Sequence, residues 1–419
     1  MGFASEWLQS GPVFPELIQE APDKKTGIIV VVPAFDEPGI IDLLGSLAAC
    51  KRPDSSAEVI VVVNAPVNAD DNCLENNRIT LENTKEWQKN ARPFFRLYLL
   101  DLEKPAIKGW GVGLARKTGM DEALRRFDRI GREEGIISCM DADCTVAENY
   151  FTELERELLY NPGRKGCSIY FEHPVTGTKF PPDIYNAALQ YEVHLRYYFQ
   201  ALNYTGFPHV FHTVGSTLAV KALAYMKAGG MNRRQAGEDF YFVQKLVAAG
   251  GYFSLNSTAV FPSPRISGRV PFGTGAAIGK MINSKQKELL TYNSESFTDL
   301  KSFFQMTDRF YSVEDDQVEM LYHSFPLSVR SFVSYEDWKI KLNEVKANTS
   351  GLPAFRKRFF EWFNMFRIVK YLNFVHTDLF LKVQVYDASV ELLRLTGLAR
   401  FEGNAERLLF FLRKLEKAQ

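Results

Sequence analysis

The chain has no net charge: across 419 residues, 50 lysines and arginines face 50 aspartates and glutamates. That balance excludes a protein drawn to nucleic acid or to an anionic membrane by its overall charge. It has no paired cysteine motif either. The five cysteines, Cys50, Cys73, Cys139, Cys144 and Cys167, are an odd set without a C-x-x-C pair. A disulfide framework and a zinc knuckle are therefore not expected, and a reducing, cytoplasmic setting is. No apolar run reaches the roughly 18–20 residues that a spanning helix needs. The opening "MGFASEWLQSGPVFPELIQE" lacks a basic start followed by an apolar core, so no signal peptide is expected there. Internal repeats and low-complexity tracts are missing as well. What remains is ordinary globular material, 46% hydrophobic and 24% charged, long enough for about two to three structural units. Phenylalanine is abundant, with 33 residues that crowd the last third.

Residues 1–25 are polar and predict a lead-in arm. "GIIVVVPA" (27–34) and "EVIVVVN" (58–64) are short β-branched runs of the kind buried on both faces of a sheet. Between them, Ile40, Leu43, Leu44 and Leu47 share one helical face. A polar insertion before the strand "FFRLYLL" is expected to decorate the surface. The helix "GLARKTGMDEALRRFDRI" then leads to the strand "GIISCM". Strands alternating with helices predict a parallel, doubly wound sheet, in which ligands bind at the carboxyl ends of the strands. Asp36 and Glu37, Asn64, the segment Lys108 to Arg116, and Asp141 with Asp143 all lie at such ends. Further on come the strand "CSIYFEHP", a long Tyr-rich helix, a strand-turn-helix over "GSTLAVKALAYMKAGGM", and a helix starting at Glu238 and Asp239 that stops at Gly250–Gly251. A Gly/Pro-rich loop spans 262–279, and the chain beyond about residue 285 is helical.

Several of these clusters carry chemistry. Asp141 and Asp143, one residue apart after a buried strand, can hold Mg²⁺ or Mn²⁺ against phosphate oxygens; a bare D-x-D also occurs as a solvated pair. Asp36 and Glu37 in "PAFDE" can accept hydrogen bonds from a ribose or base, or cap a helix. "KGWGVGLARK" sets glycines and cations, Lys108 and Arg116 among them, before a helix, as a diphosphate contact or a plain basic turn. Glu238 and Asp239 suit a base beside a substrate hydroxyl, or ordinary acidic enrichment in a first helical turn.

In that order and spacing, "VVVPAFDE", "VIVVVNA", "GLARKTGMDEAL", "ISCMDADC" and "GEDFYFVQKLVAAGG" resemble the family-2 glycosyltransferases of the GT-A fold over roughly residues 26–262. The resemblance implies an α/β fold: a Rossmann-like, nucleotide-sugar-binding mixed sheet flanked by helices over 26–284, with a nucleotide half (26–145) and an acceptor half (146–284). A helical C-terminal region (285–419) would follow. It implies Pro33, Phe35, Glu37 and Asn64 around the nucleoside, Arg116 near the diphosphate, Asp141 at the ribose and metal, and Asp143 on the metal. His212 would be a third ligand, with His173 and His209 as other candidates. Asp239, with Glu238 beside it, would be the base of an inverting transfer from a nucleoside-diphosphate sugar to an unidentified acceptor, with Mg²⁺ or Mn²⁺ as cofactor. Lys117 and Asn64 depart from the usual Asn and Asp of that family, and no Gln-x-x-Arg-Trp is present, so processive polysaccharide synthases are poor models. Read from its residues, "PRISGRVPFGTG" can close Arg265 and Arg269 over the diphosphate or an anionic acceptor, or form a plain surface linker.

Three alternatives stand beside this reading: a nucleotidyltransferase, a glycosyltransferase that retains anomeric configuration, and a non-catalytic nucleotide-sugar-binding protein. No nucleic-acid partner is expected. The helix around "PAFRKRFFEWFNMFRIVKYL" puts Phe355, Phe359, Trp362, Phe363 and Phe366 together, with Arg356, Lys357, Arg358 and Arg367 elsewhere. Packing on the rest of the protein is expected of it, and peripheral contact with the inner face of a membrane is its alternative.

Overall fold

The computed structural model of the chain describes residues 2–102, 111–233, 237–268, 273–284 and 288–419. Strands β1 (Thr26–Ala34) and β2 (Ser56–Asn64) are the two β-branched runs. Ile28, Val30 and Val32 enter the core on one face of the sheet, and Ile29 and Val31 enter the core on the other. Burial on both faces is why valine and isoleucine follow one another without polar alternation. β3 (Arg96–Leu102) and β4 (Ile136–Cys139) flank them, all four parallel in the order β3-β2-β1-β4.

The purely parallel pattern ends there. β5 (Thr145–Val146), β6 (Gly166–Phe171), β7 (Leu218–Lys221) and β8 (Tyr252–Phe261) extend the sheet to eight strands in the order β3-β2-β1-β4-β7-β6-β8-β5. β7 runs antiparallel to both β4 and β6, and β5 runs antiparallel to β8. The protein is thus an α/β mixed sheet flanked by helices, the expected class. β8 is not anticipated by the sequence reading; its run "YFSLNSTAVF" alternates too weakly to stand out.

The helices of this region are α1 (Trp7–Ser10), α2 (Ile40–Ala48), α3 (Asp71–Ala91), α4 (Val112–Arg129), α5 (Tyr150–Leu154), α6 (Pro182–Thr205), α7 (Ala222–Lys227), α8 (Glu238–Ala248) and α9 (Thr274–Asn283). α2 buries the four residues expected, Ile40, Leu43, Leu44 and Leu47. Two expectations are corrected. The polar insertion is not surface decoration but α3, capped by the Asp70 side chain on the Cys73 amide at 2.8 Å, with Asn77, Thr80, Leu81 and Thr84 buried. The loop placed at 262–279 ends early, because Thr274 already opens α9.

The arm before β1 is likewise no loose lead-in. The Ala4 amide donates to Asp128 Oδ1 at 2.6 Å, and the Leu17 and Ile18 amides donate to Glu122 at 3.2 and 3.1 Å. Arg126, paired with Glu58, donates to the Glu20 carbonyl at 2.8 Å. The arm therefore covers the face of α4 that the sheet leaves open, which explains why charged residues of α4 such as Asp121 and Glu122 are buried. On the sheet side, α4 approaches so closely that a methyl group at Gly119 would collide with Val31 and Val62.

Two compact units make up the chain: residues 1–180, 211–276 and 415–419 form one, and 181–210 with 277–414 form the other. The second unit holds α6 and the C-terminal helices, with a phenylalanine core. Phe303 meets Phe325 at 5.0 Å, Phe363 at 5.3 Å and Phe359 at 5.8 Å between ring centroids, and Trp338 meets Phe325 at 5.0 Å. The "FRKRFFEWF" stripe thus packs inward through Phe355, Phe359 and Phe363. Its helix breaks after Trp362 and restarts at Met365, where the Asn364 side chain accepts from the Arg367 amide at 3.2 Å. Among the described residues no helix is long and apolar enough to cross a membrane, and the five cysteines are free.

Candidate functional site

The stretch Met140–Cys144 explains why two acids sit one residue apart. Met140, Ala142 and Cys144 point into the core, so the intervening Asp141 and Asp143 are both turned outward beyond the end of β4. The same edge carries the end of β1. There the chain turns through half-buried Phe35 and through Asp36, whose φ of 56° is left-handed. Hydrogen bonds from α3 hold that conformation. The Asp36 amide donates to Asn77 Oδ1 at 2.9 Å, and Asn76 Nδ2 donates to Asp36 Oδ1 at 2.6 Å. Asn77 Nδ2 in turn donates to the Asn64 carbonyl at 2.9 Å. One buried asparagine thereby ties the carboxyl ends of β1 and β2 together and presents Glu37. The sequence reading missed Asn76 and Asn77; a polar pair inside a polar helix carries no signal of burial.

Arg116, one turn into α4, is the centre of the crevice and only 3% exposed. Its Nη2 donates to Asp141 Oδ1 at 2.7 Å and its Nη1 pairs with Glu238. The backbone at Gly215 lies against the guanidinium, where an added Cβ would sit 2.7–2.9 Å from its atoms. A Cβ there would have to push the end of the Arg116 side chain aside. Gly237, at φ 73°, turns the chain into α8, whose first two residues are Glu238 and Asp239. Asp239 accepts from the Phe240 amide at 2.7 Å. On the other side of Asp141, Arg265 Nε donates to Asp143 Oδ2 at 2.6 Å while its Nη2 pairs with Glu37.

Two arginines thus hold together acids from β1, β4 and α8. Burial pushes Glu37 up to about 8; Asp143, Asp141 and Asp36 add to the rise, and Arg265 opposes it. Burial raises Asp239 to about 6 against the pull of Arg116, with Glu238 adding to the rise. Asp141 is also raised by desolvation, with Arg116 pulling the other way. For Arg265, burial works to lower the value, but Asp143 and Glu37 outweigh it and hold the guanidinium charged. The charge of Asp143 acts on Asp141, and that of Asp141 on Asp239, so the three carboxyls belong to one charged cluster.

The other expected residues are placed as follows. Pro33 lies within β1 opposite Val62, and Asn64 ends β2 and is buried. Lys108 and Arg269 fall outside the described residues. His212, expected as a third metal ligand, instead lies 3.1 Å from Glu416 and packs edge-on against Phe171. Among the described residues no three His, Cys, Asp or Glu side chains gather as a metal-holding group. His173 sits 3.0 Å from the Thr274 hydroxyl. Lys117 is directed away from the crevice, 2.8 Å from Asp121 and over the ring of Trp7.

No family model matches the sequence, and no curated protein matches it. In structure the chain is similar to TarS 1–349 of S. aureus in complex with UDP-GlcNAc, with 14% identity over 88% of this chain and 92% of that one and a TM-score of 0.39. It is similar to the mannosyltransferase PcManGT from Pyrobaculum calidifontis in complex with GDP-Man and Mn²⁺, with 15% identity over 99% and 93% of the two chains and a TM-score of 0.37. For glucosyl-3-phosphoglycerate synthase from Mycobacterium tuberculosis in complex with Mg²⁺ and UDP, identity is 14% over 64% and 84%, with a TM-score of 0.33.

Proposed function

We propose that this protein is a GT-A glycosyltransferase that moves a sugar from a nucleoside-diphosphate donor to an acceptor hydroxyl. The observation that carries the reading is that Arg116 and Arg265 draw Asp141, Glu238, Asp143 and Glu37 into one charged cluster at the carboxyl edge of β1 and β4, with Asp239 beside Glu238 at the start of α8. That edge is where open α/β sheets bind their ligands. Pro33, Phe35, Glu37 and Asn64 are assigned to the nucleoside, Arg116 and Lys108 to the diphosphate, and Asp141 to the ribose.

The donor set suits Mg²⁺ or Mn²⁺. Asp141 and Asp143 offer hard carboxylate oxygens one residue apart beyond the end of β4, both partly open, and such ions take the rest of their shell from phosphate oxygens and water. Asp143 and Asp141 are the assigned ligands; a bound ion would stabilise charge on the departing diphosphate. Asp239 is the assigned base. Near neutral pH it is ionised, yet its raised value makes it a stronger base than a free aspartate. It takes the acceptor proton as the acceptor oxygen bonds to the sugar C1. The bond from C1 to the diphosphate breaks with its electron pair on the leaving oxygen, so the anomeric centre inverts. Arg116, fixed by Asp141 and Glu238, keeps a positive charge beside that event. The free cysteines and neutral charge balance support a cytoplasmic location.

The test is a thermal-shift screen of nucleoside diphosphates with and without Mn²⁺. One base should raise the melting temperature above the others, because binding to the folded state stabilises it by mass action. No shift with any of them at millimolar concentration would remove the donor reading. NMR of the product anomer then tests inversion.

A further inference from the structure

The segment "PSPR" delivers one side chain into the crevice in a fixed direction. Pro262 and Pro264 are buried, each with its φ set by the ring, and Arg265 follows directly. Its guanidinium is used on one edge only: Nε goes to Asp143 and Nη2 to Glu37. Nη1 makes no hydrogen bond among the described residues, and the side chain keeps 27% of its surface open. One of the two groups it joins, Asp143, is an assigned metal ligand. Asp36 and Asp141 stand close by as further negative charge, which makes this the most cation-demanding point of the crevice.

We infer that Arg265 is an internal counter-cation that competes with the divalent metal for Asp143. A single carboxylate oxygen cannot serve both at full strength: the Arg265 hydrogen bond to Asp143 Oδ2 occupies a lone pair and holds positive charge where the metal would bring more. Without nucleotide, the metal must displace the guanidinium and is bound weakly. With nucleotide, the displaced guanidinium turns its planar fork to the diphosphate, an anion for which arginine geometry is suited. Metal and nucleotide therefore bind with positive coupling, and Arg265 is the positioning residue that exchanges partners between them. This inference rests on the glycosyltransferase reading for the nature of the anion, but not for the competition itself.

The experiment titrates Mn²⁺ alone by the EPR signal of the free ion on the wild type, Arg265→Ala, Arg265→Lys and Asp143→Asn. It then measures UDP and GDP binding at saturating Mn²⁺. Arg265→Ala should bind Mn²⁺ about tenfold tighter than the wild type or more, since a charge-assisted competitor is gone. Arg265→Lys, which keeps the charge, should stay near the wild type, and Asp143→Asn should lose Mn²⁺ binding. The nucleotide that binds the wild type should bind Arg265→Ala more weakly. Mn²⁺ affinity that is equal or lower in Arg265→Ala overturns the inference, as does an absence of Mn²⁺ binding in both the wild type and Arg265→Ala. If Arg265→Ala fails to fold by circular dichroism, Arg265→Gln replaces it with the same criteria. Failure of every nucleoside diphosphate in the thermal-shift screen to bind the wild type removes the donor reading and leaves the Mn²⁺ comparison intact. Nucleotide binding with unchanged Mn²⁺ affinities removes only the competition.

Discussion

Replacing Arg116 by methionine probes the centre of the crevice. The side chain is 3% exposed and has two carboxylate partners, one of which, Glu238, is itself only 2% exposed. Methionine retains much of the apolar stem, so the perturbation is mainly electrostatic: Glu238 stays buried without its cation. Breaking a buried pair by removing one partner costs about 3–5 kcal/mol. Asp141, whose side chain keeps 43% of its surface open, can rehydrate and should add little. Urea unfolding followed by circular dichroism should show a midpoint shift equivalent to that loss. The double variant R116M/E238Q removes the stranded charge and should recover most of it, to within about 1–2 kcal/mol of the wild type. A single variant within about 1 kcal/mol of the wild type would refute the argument. So would a double variant no more stable than the single one, because either result means that Glu238 does not depend on Arg116.

Asp239→Asn should abolish sugar transfer while leaving nucleoside-diphosphate binding nearly unchanged; near-full turnover in a radiolabelled-donor assay would remove Asp239 from the role of base. In the wild type, the pH profile of transfer should rise through about 6 as Asp239 loses its proton, and a flat acidic limb would contradict that assignment. Glu37 binds its proton more tightly in the folded state, about 8 against the ordinary 4.5, so metal-free protein should lose stability as pH rises between those values. Denaturant midpoints of Glu37→Gln measured in EDTA should fall less steeply over the same window, and an identical slope would exclude Glu37 as the source. Glu122→Ala should release the arm from α4, costing about 1–3 kcal/mol through two unsatisfied amides, and speed tryptic cleavage at Lys24 and Lys25. Gly215→Ala should displace Arg116 and weaken nucleotide binding, read by calorimetry, at a cost of about 1–3 kcal/mol for overpacking.

Consecutive β-branched residues in "GIIVVVPA" and "VIVVVN" determine two buried strands, because nothing else stays dry on both faces. The M-D-A-D-C alternation determines that Asp141 and Asp143 leave the core together. Periodicity likewise determines α2 and gathers the phenylalanines at 355–363 on one face, while their inward packing is decided by the helices they meet. These are local consequences of side-chain period and burial, and a single sequence carries them. Partner choice was decided only in three dimensions. His212 had the chemistry of a metal ligand but met Glu416, about two hundred residues away in the chain. Lys117 had the chemistry of a phosphate contact but turned to Asp121 and Trp7. Asn77 read as surface and became the tie between two strands. The antiparallel insertion of β7 between β4 and β6 was equally invisible, since strand direction depends on where distant segments pair rather than on any residue within them. A charged or polar side chain declares what it can bind; which partner it obtains is settled by the tertiary contacts that bring one within reach.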